Sequence, residues 1–173
     1  MKNSNPIVEE VKNQYLTIQM MTSMFVKNPQ AAMRGLLISG DAGFGKTHYT
    51  KLGLQDIKDV DDVDYVKGSS ITAPVMFVKL YQNRKPGQIL VLDDVDIVHK
   101  SSGERSAILD MFKAATEPTT GDRELEWARA QRNPLMVDND VPTKFNFEGS
   151  IIWITNDTIQ GLAEKAKSHW NAI

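Results

Sequence analysis

Apolar residues recur along this chain in two rhythms, one spaced for helices and one unbroken, as in buried strands. From Pro6 to Lys27 they fall at Ile7, Val11, Tyr15, Ile18 and Phe25, one face of an amphipathic helix that Asn28-Pro29 then breaks. Continuous runs at Leu36–Ser39, Gln88–Leu92 and Ser150–Thr155 read as strands covered on both faces. Tyr65-Val66 is a further strand candidate, ended by Gly68 and preceded by an acidic connection, Asp59 to Asp64. Helices are expected over Lys46–Ile57, over Ala73–Asn83, and from about Glu104 to Ala115, with Ile108, Leu109 and Phe112 on the apolar face. Pro74 falls in the first turn of its helix, where a missing N–H costs nothing. Lys85-Pro86-Gly87 is a turn, and Glu117 to Gly149 reads as irregular or hairpin-like. A last helix, carrying Ile159, Leu162, Ala163, Ala166 and Trp170, is expected to run to the end. Strands alternating with helices predict an α/β fold, a mainly parallel sheet between helices.

Composition narrows the function classes. The 173 residues suit one domain with a core of its own. Twenty basic against 22 acidic residues give a net charge of −2, so no global basic field draws in nucleic acid. Without cysteine there is no disulfide framework, thiolate metal site or cysteine nucleophile. Residues Met1 to Glu10 lack the layout of a secretory signal, and no apolar run approaches a membrane span. The expectation is a cytoplasmic protein with no membrane partner.

The chemistry starts at Gly40-Asp41-Ala42-Gly43-Phe44-Gly45-Lys46-Thr47, which fits G-x-x-x-x-G-K-T between an expected strand and an expected helix. Gly40, Gly43 and Gly45 let the backbone curl round an anion, because they take positive φ without a Cβ clash. Amides of that concavity, with the positive end of the helix, then face phosphates. Lys46 is expected to reach the β- and γ-phosphates, and Thr47 to offer its hydroxyl to Mg²⁺. The nucleotide-binding set is Gly40 through Thr47 together with His48. The ligand expected is ATP with Mg²⁺.

Two further strand ends carry polar groups. Ile89-Leu90-Val91-Leu92 runs into Asp93-Asp94, and paired carboxylates at the C-terminal edge of a parallel strand sit where ligands bind in such sheets. Asp93 is expected to hold Mg²⁺, while Asp94, pointing the other way, orients or deprotonates the attacking water. The competing reading is an Asp pair capping the next turn. Ser150–Thr155 leads into Asn156-Asp157, where an amide could bond the γ-phosphate or the lytic water, or simply cap the last helix.

With these three motifs in this order, the chain resembles the AAA+ type of P-loop NTPase, from roughly Met33 to Asn156: Walker A at Gly40–Thr47, Walker B at Ile89–Asp94, and sensor 1 at Asn156. The segments Tyr65–Ser69, Leu80–Arg84 and Val91–Asp96 are similar to bacteriophage-encoded AAA+ proteins, which puts the expected location in the host cytoplasm. The resemblance implies that the Walker A, Walker B and sensor-1 strands are adjacent at the centre of the sheet, with the Tyr65 strand outside. It divides the chain into an N-terminal helix packing on the core (1–32) and a nucleotide-binding core (33–173). It also implies a homo-oligomeric ring, most often a hexamer, with Asp94, Asn156 and Lys46 as catalytic residues. Two departures stand out. Asp94 is one methylene shorter than the family's usual Glu. No arginine follows Arg132, so the lid domain and arginine finger are expected to be missing and turnover to be weak, such a finger being worth roughly 10³–10⁵ in rate.

The expected activity is ATP hydrolysis that remodels nucleic-acid or nucleoprotein complexes, as in phage replication, with a DNA or protein client. The alternatives are a protein-remodelling chaperone of the same fold and a small-molecule kinase. The loop Lys67 to Ile71 has no aromatic residue, which disfavours a protein-threading motor. Arg123, Trp127, Arg129, Arg132 and Lys144 form a basic–aromatic mix able to meet a single strand. Glu117, Asp122, Glu124, Glu126, Asp138 and Asp140 offset it, as on a solvated, charge-balanced hairpin. Asp96 and His99 are assigned no role.

Overall fold

The computed structural model describes residues 6–27, 34–55, 62–68, 70–97, 99–117, 123–128 and 133–157. In order these form α1 (Pro6–Lys27), β1 (Gly35–Ser39), α2 (Lys46–Leu54), β2 (Val63–Lys67), α3 (Ala73–Gln82), β3 (Ile89–Asp93), α4 (Ser102–Thr116), β4 (Glu124–Glu126), α5 (Pro134–Asp138), β5 (Lys144–Asn146) and β6 (Ser150–Thr155). The result is an α/β fold with a central parallel sheet flanked by helices. Strand order is β1-β6-β3-β2, every pair parallel. The last strand in sequence thus enters between the first and third, pairing Ser39 with Thr155 and Asp93 with Ile154. β4 and β5 pair antiparallel in a sheet of their own.

Alternation sorts the strand side chains between two cores. Leu36, Ile38, Ile89, Val91, Ile152 and Ile154 meet Phe25 of α1 and Leu54 of α2. Leu90, Leu92 and Ile151 face the other way, onto Met76, Phe77 and Leu80 of α3, Ile108 of α4, and Leu125 and Phe145 of the small sheet. β3 is buried at every position because both its faces are covered, which is why its sequence is uniformly apolar until Asp93. Each fully buried side chain of this size adds about 1.5–3 kcal/mol.

α1 docks on α2 through a close crossing. A Cβ on Gly53 would lie 2.6 Å from Thr22 Cβ and 2.7 Å from the Gln19 carbonyl oxygen, so only glycine fits there. Nearer the start of α2, the rings of Tyr15 and Tyr49 stack at 4.5 Å, 7° from parallel.

Several expectations shift. β1 stands at the edge of the described sheet rather than at its centre, although the three motif strands are contiguous and the Tyr65 strand lies outside them. α2 ends at Leu54, and Asn83 is the C-cap of α3 rather than its last residue. The expected irregular stretch holds a short helix as well as a strand pair. Pro134 starts α5, and Asn133 caps it by accepting a hydrogen bond from the Leu135 amide at 3.0 Å. Trp127 is buried against Phe77, and Lys144 pairs with Glu124 at 2.7 Å, so that ring is not available to stack a base. Arg129, Arg132 and the expected last helix from Ile159 lie outside the described residues. No helix among the described residues is long and apolar enough to cross a membrane.

Gly53→Ala should lower stability by about 1–3 kcal/mol, because overpacking outweighs the gain in helix propensity. Chemical denaturation measures this, and a more stable variant would show that α1 does not sit on α2.

Candidate functional site

The glycine-rich loop reverses the chain between β1 and α2. Gly43 and Gly45 take φ values of 84° and 70°, and Gly45 is the N-cap of α2 with no side chain capping its first amides. The free amides and the helix dipole make this end of α2 electropositive. Lys46, first in the helix, is buried at 7% exposure. Its ammonium donates to the Gly40 and Asp41 carbonyls, both at 2.7 Å, and to Asn156 Oδ1 at 2.8 Å. Thr47 Oγ1 donates to Asp93 Oδ1 at 2.8 Å.

Strand order brings the remaining groups to the same place. Asp93 ends β3 and is only 2% exposed, while Asp94, the next residue, is exposed. The chain turns sharply between them. Asp94 has φ of 58°, a left-handed conformation uncommon outside glycine, and its amide donates to the Ile154 carbonyl at 3.0 Å. That turn swings its carboxylate toward β6, where Asn156 Nδ2 donates to Asp94 Oδ1 at 2.5 Å. Asn156 therefore bridges Lys46 and Asp94. Asp93 Oδ2 is buried and has no hydrogen-bond partner among the described residues. A buried carboxylate oxygen in that condition is costly unless a cation or donor meets it.

These residues line a cleft of about 500 Å³, walled by Ala42 to His48, Lys51, Asp93, Asp94, Ile154 and Asn156. All of the sequence-expected residues from Ala42 to His48 are on that wall. Gly40 and Asp41 act from behind, through the carbonyls that hold Lys46. Phe44 and His48 are exposed, and His48 meets Tyr49 edge-on at 5.1 Å. The residues at 96 and 99 pair with each other at the surface, Asp96 Oδ1 accepting from the His99 amide at 3.0 Å.

Motif spacing does not single out Lys51 or Tyr65. Lys51 follows Thr47 by one helical turn, and its ammonium lies 5.4 Å from the centre of the Tyr65 ring. Burial, and then the nearby charge of Asp93, push the Tyr65 phenol up to about 12. The only sequence signal for this pair was the four-residue step from Thr47, which places Lys51 on the same helix face.

No family model matches the chain. Among curated proteins it is similar to the "Uncharacterized 36.7 kDa protein in nrdC-mobD intergenic region" of Enterobacteria phage T4, with 29% identity over 162 residues. That similarity takes in 86% of this chain and 46% of the relative, so the chain spans less than half the length of the protein it matches. The relative's phage origin fits the phage-like segments read from the sequence.

Tyr65 should ionise near pH 12 rather than at the ordinary value of 10.0. The folded chain holds this proton more tightly than the unfolded chain, so Tyr65 subtracts stability as pH rises above about 10 and subtracts no more beyond about 12. Phenolate absorbance in an alkaline titration should lose a component near pH 12 in Tyr65→Phe. Persistence of that component would assign it to another ring.

Proposed function

We propose that this cleft binds a nucleoside triphosphate with Mg²⁺ and hydrolyses its terminal phosphate, as an ATPase of the AAA+ type. One observation carries the reading. Lys46 and Thr47 of a glycine-rich turn meet, at hydrogen-bond distance, carboxylate and amide groups from the ends of two other strands. A turn that was merely rich in glycine would have no cause to converge on Asp93, Asp94 and Asn156.

The residues fit the ion. Thr47 Oγ1 and the unpartnered Asp93 Oδ2 are hard oxygen donors, and Mg²⁺ is usually held by one or two carboxylates together with substrate phosphates and water. Consistent with so sparse a protein contribution, no group of three or more His, Cys, Asp or Glu converges on a point among the described residues. The ion supplies charge neutralisation on the phosphate oxygens. The amides of the glycine-rich loop and the start of α2 hold the phosphate chain, and Lys46 exchanges part of its hydrogen bonding to Gly40, Asp41 and Asn156 for phosphate oxygen. Asn156, released from Lys46, orients the terminal phosphate or the water beside it. Asp94 accepts the proton of that water as its oxygen bonds to phosphorus and the bridging P–O bond breaks, leaving nucleoside diphosphate and phosphate. The left-handed turn at Asp94 brings its side chain, one methylene shorter than the family's usual glutamate, within reach of Asn156.

Ring assembly and the remodelling of nucleic-acid or nucleoprotein complexes extend this reading by resemblance. The burial of Trp127 against Phe77 leaves its ring out of any nucleic-acid contact through the small sheet.

Lys46→Ala should abolish Mg·ATP binding measured by calorimetry, and undiminished binding would remove the phosphate-loop assignment. Asp94→Asn should bind Mg·ATP about as well as the parent yet lose hydrolysis by roughly 10²-fold or more, in the range for a lost general base. Equal loss of binding would exchange its role with that of Asp93. Asn156→Ala should spare binding and slow turnover, whereas a drop in melting temperature alone would return Asn156 to the part of a helix cap.

A further inference from the structure

Lys46 has three N–H donors and all three are engaged, by the Gly40 and Asp41 carbonyls and by Asn156. The second lysine of the cleft is in the opposite condition. Lys51 lines the same wall as Lys46, Thr47, Asp93 and Asp94, is exposed, and makes no hydrogen bond or ion pair among the described residues. Its ammonium rests over the Tyr65 ring at 5.4 Å, a contact that is weak at an exposed site and readily exchanged for an anion. Helix geometry aims it. Lys51 stands one turn after Thr47 on the same face of α2, where helical side chains lean toward the N-terminus, and it lines the cleft with Thr47. Charge balance gives it a task. On the described wall Lys46 and Lys51 only offset Asp93 and Asp94, so a bound polyphosphate chain calls on every available cation.

We propose that Lys51 is a second phosphate-binding residue, which leaves Tyr65 when the ligand enters and sets its ammonium against the phosphate chain. The inference rests on the triphosphate reading above and adds to it a residue that recognises polyphosphate charge rather than the nucleoside. Tyr65 is the resting place that keeps the cation at the cleft between ligands.

The test compares Mg·ATP and magnesium tripolyphosphate by calorimetry on the parent chain, Lys51→Met, Lys51→Arg and Tyr65→Leu. Lys51→Met should weaken both ligands by about tenfold or more, the scale of one charge-assisted hydrogen bond, and Lys51→Arg should stay within about threefold of the parent. Melting temperatures of the Lys51 variants should match the parent, and Tyr65→Leu, which keeps the cation, should bind both ligands fully. Lys51→Met binding within about twofold of the parent would overturn the inference, since a loss that small is below a hydrogen bond to a charged group. So would a Tyr65→Leu loss as large as that of Lys51→Met, because it would mark the pair as structural. If the parent chain binds neither ligand, the triphosphate reading fails first and the role of Lys51 falls with it.

Discussion

The insertion of β6 between β1 and β3 is the constraint on which the rest depends. It sets Ser39 level with Thr155 and Asp93 level with Ile154, so the chain leaves β1 and β3 on either side of β6, each about 4.8 Å from it. The bridge from Lys46 through Asn156 to Asp94 exists only because of that neighbourhood. Lys46 and Asn156 are 110 residues apart, yet their side chains meet at 2.8 Å. Any other strand order would take Asn156 from the ammonium and leave it only the two carbonyls of its own loop.

Packing supports the same point from both faces. Ile152 and Ile154 of β6 reach α1 and α2, while Ile151 reaches the cluster of α3 and α4. The strand that positions Asn156 is thus held by both cores at once. Asp93, by contrast, is fixed less by packing than by Thr47, which holds one carboxylate oxygen and leaves the other unpartnered. The site combines a fully satisfied cation with an unsatisfied anion, and that asymmetry is what gives the cleft its chemical direction.

Much of this was legible in the sequence because it rests on local pattern. The run Ile89–Leu92 has a single physical use, a strand covered on both sides, and Ser150–Thr155 is its equal. The positive φ at Gly43 and Gly45 was foreseeable from the glycines themselves. What escaped was non-local or small. The edge position of β1 depends on which strands find partners, and no window of residues encodes that. α5 spans five residues, too few for a periodic signal, although Asn133-Pro134 is a start signal in plain view. Trp127 sits among charges in sequence, and only the fold turns its ring toward Phe77. Lys51 carried no motif, since its relation to the cleft depends on the partner ring on β2.

The Gly53 crossing has a consequence for where this protein can be cut. Tyr15 lies against both Tyr49 and the Gly45 turn, and Phe25 closes the core that contains Leu36 and Ile38. The first helix is therefore a wall of the lobe that carries the glycine-rich loop and not an appendage. Expression started at Gly35 would retain every motif residue and yet strip the cover from one side of the sheet, leaving an oily, sticky surface behind the loop.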